Sequence, residues 1–92
     1  MSAILSFEER VRNAPLALIA ARIKRARKDE GLSHDRLAAS ARTSRQHLIK
    51  LEKGKHRPRP DMLVRISEAT GREIDWFVDP DLDPSPFPAE AA

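Results

Sequence analysis

The amino-acid sequence predicts an all-α protein, a compact bundle of about five short helices. Three observations carry this. Apolar residues recur at three- and four-residue spacing, as in Leu16, Ile19, Ala20 and Ile23. Helix-start residues (Ser6, Pro15, Ser33, Ser44, Pro60) alternate along the chain with helix-stop glycines (Gly31, Gly54, Gly71). No stretch has the pattern of a strand, and there is no internal repeat and no glycine-rich phosphate loop. Ninety-two residues are room for one small domain with a modest core.

Each element has its own justification. Ser6 with Glu9 three residues on has the form of a capping box and starts a short helix over about 6–12. Pro15 suits the first turn of the next helix, where its missing N–H costs nothing. Leu16, Ile19, Ala20 and Ile23 form one face of that helix, Arg27 extends the stripe by a turn, and Gly31 closes it in the left-handed conformation. Ser33 caps a short helix with Leu37, Ala38 and Ala41 inward, and the pattern breaks at 41–43. Ser44 caps a helix over about 45–53 with Leu48 and Leu51 on its buried side. Gln46, Ile49, Lys50 and Lys53 lie on the opposite arc of that helix, with Arg45 at its N-terminal edge, and Gly54 ends it. A basic loop, Lys55 to Arg59, is kept extended by Pro58. Pro60 and Asp61 open the next helix, with Leu63, Ile66 and Ala69 inward and Gly71 as its stop. Ile74 to Val78 makes one further turn. This gives three parts: an N-terminal extension over 1–14, a helical domain over 15–78, and an acidic, proline-rich tail over 79–92 expected to be disordered.

Charge narrows the function. The net charge is +3, but Asp79, Asp81, Asp83 and Glu90, with no Lys or Arg among the last fourteen residues, leave +7 on the first 78. Between 42 and 59, Arg42, Arg45, Lys50, Lys53, Lys55, Arg57 and Arg59 face only Glu52. A focused basic patch points to a polyanionic partner. There is no cysteine, so neither a disulfide nor a thiolate metal site, and His34, His47 and His56 do not fit a metal spacing. No serine stands beside a convincing base, and the expectation is a non-enzyme without cofactors. The longest apolar stretch, Ala14 to Ala21, is short and holds Pro15, far below the ~20 residues that cross a bilayer, so no membrane role and a cytoplasmic location are expected.

The run Gly31-Leu32-Ser33-His34-Asp35-Arg36-Leu37-Ala38, followed by Ser44-Arg45-Gln46-His47-Leu48-Ile49-Lys50-Leu51-Glu52-Lys53-Gly54, resembles the phage repressor/Cro type of helix-turn-helix, the XRE family. Pro58, Leu63, Ile66, Gly71 and Trp76-Phe77 fall where that family has its later helices, so the resemblance covers about 16–78. It implies a lambda-repressor-like helix-turn-helix domain that binds double-stranded DNA. Two residues depart from the family: Arg42 stands where the turn usually carries glycine, and His34 where glutamine is usual. A left-handed backbone at Arg42 would cost roughly 1 kcal/mol.

Carried over residue by residue, the resemblance makes Arg45, Gln46, Ile49 and Lys50 the candidate base contacts. Arg45 suits guanine, Gln46 adenine, and Ile49 a thymine methyl. Ser33, His34, Arg36, Arg42, Lys53, Lys55, Arg57 and Arg59 are the candidate phosphate contacts. The family's arginine–glutamate pair falls on Arg27 and Glu52, and implies an ion pair that orients the reading helix. Trp76 and Phe77 are either a lid on the core or a homodimer contact. The function expected is a sequence-specific transcriptional regulator, a repressor acting as a homodimer on an inverted-repeat operator. Two alternatives stand beside it. One is an antitoxin that represses its own operon and binds a toxin partner, with 1–14 and 79–92 as places for a protein partner to attach. The other is a protein-interaction module that binds no DNA.

Overall fold

Each helix begins and ends where local chemistry dictates. A computed structural model describes residues 6–82, and five α-helices with one 3-10 turn account for most of them. Helix α1 (Phe7–Asn13) starts at a complete capping box: Glu9 N–H donates to Ser6 Oγ at 3.2 Å, and Ser6 N–H donates to Glu9 Oε1 at 2.9 Å. Helix α2 (Leu16–Asp29) follows Pro15, which stands just outside rather than inside the first turn. Helix α3 (His34–Ser40) and helix α4 (Arg45–Glu52) are capped by Ser33 and Ser44, whose hydroxyls accept from the N–H groups of Arg36 and His47 at 3.0 Å each. Helix α5 (Pro60–Thr70) opens on its own proline, and Ile74–Phe77 forms the 3-10 turn.

The helix ends repeat one motif. After α2, α3, α4 and α5 an N–H five residues on returns to a last-turn carbonyl: Leu32 to Arg27, Thr43 to Ala38, Lys55 to Lys50, and Arg72 to Ser67. The motif needs one residue in the left-handed conformation. Glycine supplies it three times, and Arg42 supplies it at φ +56° after α3. Arg42 is the one non-glycine residue with positive φ among the described residues, which is the backbone expected where glycine is usual.

The core lies between α2, α3, α4 and α5 and is closed by the 3-10 turn. Ile19, Ile23, Leu37, Leu48, Leu51, Leu63, Ile66 and Phe77 are all fully buried. The apolar stripes read from the sequence are the ones that meet here. Helix α1 adds Val11, also buried, and packs on α5.

One open choice closes, and the ordered fold runs a little further than expected. Trp76 and Phe77 lie buried in the chain's own core, edge to face with ring centroids 5.1 Å apart. The guanidiniums of Arg22 and Arg72 cover Trp76, at 4.8 and 4.2 Å from the ring centre. The pair is a core lid and leaves no exposed aromatic surface for a second copy. The chain also keeps its order beyond Asp79. Arg22, only 2% exposed, donates to the carbonyls of Trp76, Asp79 (3.1 Å) and Leu82 (2.8 Å), which fastens 79–82 to α2. The rest of the expected tail, 83–92, and the first five residues lie outside the described residues.

Among the described residues Arg22 is the one cation buried to this degree, and its removal strands carbonyls. Arg22→Met, which keeps much of the side-chain volume, is expected to cost about 2–3 kcal/mol in urea unfolding followed by Trp76 fluorescence. A loss below about 0.5 kcal/mol would show that water replaces the guanidinium without penalty. At the turn, Arg42→Val is expected to cost about 1–2 kcal/mol and Arg42→Gly to be neutral or stabilising, because a β-branched residue tolerates positive φ worst.

Candidate nucleic-acid interface

The reading helix implied by the sequence is α4, and its two sides differ sharply. Leu48 and Leu51 are fully buried, while Arg45, Gln46 and Lys50 are exposed and Ile49 is half-buried between the two arcs. Helix α4 packs on α2 and on α3, so its outer side is left to solvent. Arg45 has only a loose, exposed partner, Asp35 Oδ1 at 3.5 Å, an ion pair worth little in water. Nothing in that pairing would hold Arg45 back from a groove.

One ion pair sets the pose of α4. Arg27 Nε donates to Glu52 Oε2 at 2.7 Å and Arg27 Nη2 donates to Glu52 Oε1 at 3.1 Å, a two-pronged fork. The side chains are 10% and 5% exposed. The remaining nitrogen of the fork, Nη1, donates to the Leu32 carbonyl at 3.1 Å. One guanidinium therefore ties α2, the α2–α3 junction and the last turn of α4 together.

His34 joins the same cluster, with Nε2 at 3.1 Å from Glu52 Oε1. Its ring nitrogen Nε2 is thereby engaged with a carboxylate, while the phosphate contact expected at Ser33 and His34 is through the N–H groups at the start of α3. The hollow around this cluster, about 200 Å³, is lined by Lys24, Arg27, His34, Arg45, Ile49 and Lys53 together with Glu52. Arg45, Ile49 and Lys53 are thus brought together on one flank of α4.

The other flank carries the basic loop. A cleft of about 560 Å³ is lined there by His47, His56, Arg57, Arg59, Asp61, Met62 and Arg65. The His47 and His56 rings face each other at 6.2 Å. Lys55 and Arg59 are exposed, and Arg59 stands 3.9 Å from Asp61. Desolvation is the largest single influence on the Asp61 carboxyl and raises its pKa, but the hydrogen bonds from Arg65 and the Met62 N–H and the Arg65 charge together outweigh it, so the carboxyl titrates below the ordinary aspartate value. Arg36, Arg42 and Lys53 are exposed on the α3 and α4 surface, and Ser33 is exposed at the start of α3.

Arg57 carries a contact that its expected role did not include. Its Nη1 donates to the carbonyls of Val11 and Ala14 at 2.8 and 2.6 Å, which ties one nitrogen of the guanidinium to the end of α1, while the residue as a whole stays exposed. Sequence reasoning also missed Arg65, which donates from Nε to the Ala41 carbonyl at 2.7 Å and closes the end of α3. The spacing of Asp61 and Arg65, one helical turn apart and 3.3 Å between charged atoms, is the signal that could have found it. Among the described residues no cluster of His, Asp or Glu is able to hold a metal ion, and no helix is long and apolar enough to cross a membrane.

A family model described as a helix-turn-helix matches residues 23–77, more than half of the chain. The chain belongs to the helix-turn-helix family. It is a DNA-binding protein of the XRE kind, and the matched segment runs from the middle of α2 through the 3-10 turn. No curated protein and no solved structure matches the chain.

The helix-turn-helix depends on the Arg27–Glu52 fork, and the two partners predict opposite outcomes when removed singly or together. Glu52→Gln leaves a buried guanidinium without its counter-charge and is expected to cost about 3 kcal/mol. The double variant Arg27→Met, Glu52→Leu is expected to recover most of that loss, since an apolar pair of similar size needs no counter-charge. Urea unfolding of the wild-type protein and these two variants checks this, and equal losses in the single and double variants would mean that the pair is not electrostatically coupled.

Proposed function

We propose that this helix-turn-helix protein is a sequence-specific transcriptional repressor that binds an inverted-repeat operator as a homodimer and reads the major groove with α4. One observation carries the reading: α4 is fixed on its inner side by Leu48, Leu51 and Glu52, while it presents Arg45, Gln46 and Lys50 to solvent. A major groove admits one α-helix, and a helix that reads bases needs a fixed pose and a free polar side.

In this reading Arg45 pairs with guanine through O6 and N7, and Gln46 pairs with adenine through N6 and N7. Ile49 rests on a thymine methyl at the edge of the interface, and Lys50 completes the base contacts. The phosphate backbone is held from both sides. Ser33, Arg36 and Arg42 approach from α3 and the turn, and Lys53, Lys55 and Arg59 approach from the end of α4 and the loop after it. A two-fold dimer would set two copies of α4 ~34 Å apart, one turn of DNA. Occupying an operator in this way excludes other proteins from it, which is the physical basis of repression.

The division between reading and clamping residues is testable with a duplex enriched from a random library, measured by fluorescence anisotropy against salt. Arg45→Ala and Gln46→Ala are each expected to cost about 1–3 kcal/mol on the enriched duplex and to relax the choice of base at particular positions. Lys55→Ala and Arg59→Ala are expected to weaken every duplex alike and to lower the salt slope by about 0.9 for each phosphate no longer neutralised. If all four variants behaved alike, α4 would not be the reading helix. The oligomer is checked by sedimentation with and without duplex, and one chain per duplex would remove the dimer from the proposal.

A further inference from the structure

Arg57 sits in the middle of the basic loop after α4, yet one end of its guanidinium reaches back to α1. Its Nη1 donates to the carbonyls of Val11 and Ala14, both at the end of α1, where carbonyls have no partner inside the helix. A cation at that end also faces the negative pole of the helix dipole. Helix α1 is itself firmly placed: Val11 is 1% and Ala14 6% exposed, and Arg10 pairs with Asp75 at 2.9 Å. The whole of α1 lies before residue 23, where the family match begins. On the loop's own side, Lys55 N–H donates to the Lys50 carbonyl at 3.0 Å, and Pro58 is buried. The loop is therefore pinned at Lys55, at Pro58 and, through one nitrogen of Arg57, to α1, with Lys55, His56, Arg57 and Arg59 all exposed.

We propose that Arg57 is a positioning residue for DNA binding, and that α1 is the brace it acts through. The inference rests on the reading of Lys55 and Arg59 as phosphate contacts. A loop of exposed cations that is ordered before DNA arrives loses less conformational freedom on binding, and affinity rises by that difference. The N-terminal helix is then a working part of the DNA-binding unit, although it touches no DNA.

The test has two arms on the full chain. In the free protein, amide hydrogen exchange is read at Lys55, with Leu37 in α3 as the reference. Arg57→Gln and Val11→Ala are each expected to speed exchange at Lys55 on the order of tenfold beyond any change at Leu37, which reports the loss of overall stability. Should Val11→Ala fail to fold, Arg10→Gln loosens α1 from outside the core and takes its place. Exchange at Lys55 that speeds no more than at Leu37 in these variants overturns the brace. In the second arm, affinity for the enriched duplex is measured well below each variant's melting point. Each single variant is expected to weaken binding on the order of threefold or more, and the double variant to be no weaker than the worse single. Effects that multiply, or weaker binding with Arg57→Gln but not with the α1 variant, would mean that Arg57 grips a phosphate itself. Lowered melting points with unchanged affinity would make the Arg57 bonds merely structural. Both results contradict the proposal. Failure of the wild-type chain to bind any duplex would sink the DNA reading instead, and exchange at Lys55 would still decide whether α1 braces the loop.

Discussion

The fork between Arg27 and Glu52 is the constraint on which the interface depends. A short helix such as α4 has little packing of its own, since only Leu48 and Leu51 are fully buried along its eight residues. Two leucines fix how deeply it sits but leave it some freedom to roll. The fork removes that freedom, because a planar guanidinium meets a carboxylate in one orientation. It joins α2 to the last turn of α4, and its third bond, to the Leu32 carbonyl, holds the start of α3 in the same frame. The outward direction of Arg45, Gln46 and Lys50 follows from that frame. The net stability gained from a pair this buried is small, because its desolvation offsets most of the attraction, so its main contribution is geometric.

Eight of the twelve arginines fall into two groups, and the division explains much of the molecule. Arg22, Arg27, Arg57 and Arg65 each donate to a carbonyl at or beyond the end of a helical element: the 3-10 turn, α2, α1 and α3 respectively. Helix ends expose carbonyls without partners, and a long cation is well suited to reach them. Arg36, Arg42, Arg45 and Arg59 remain exposed and surround α3, the turn and α4. The net positive charge of the chain thus overstates what faces a polyanion. Part of it works inside the fold, joining segments that a small core leaves weakly held.

Much of the fold was legible in the sequence because local signals agree with global packing. The caps at Ser6, Ser33 and Ser44, the stops at Gly31, Gly54 and Gly71, and the stripes through Ile19, Leu37, Leu48 and Leu63 point to the same bundle. The strain at Arg42 was legible too, since the turn after α3 needs a left-handed residue. What was hidden depends on distance along the chain. Arg22 meets carbonyls more than fifty residues away, and Arg57 meets carbonyls more than forty residues away. No periodicity marks such pairings, and in the sequence each reads as one more surface cation. Trp76 and Phe77 were ambiguous for a related reason: an aromatic pair in a last turn suits a core lid or a partner equally, and only the positions of Arg22 and Arg72 decide between them.

The central claim is that the outer side of α4 is where DNA is read. Titration of the isotope-labelled chain with the enriched duplex, followed by amide chemical shifts, tests it most directly. The account predicts the largest shifts from Ser44 to Lys50 and in the loop 55–59, with the face of α5 around Val64 and Glu68 unmoved. Shifts centred on α5 or on the 3-10 turn, with α4 silent, would contradict it.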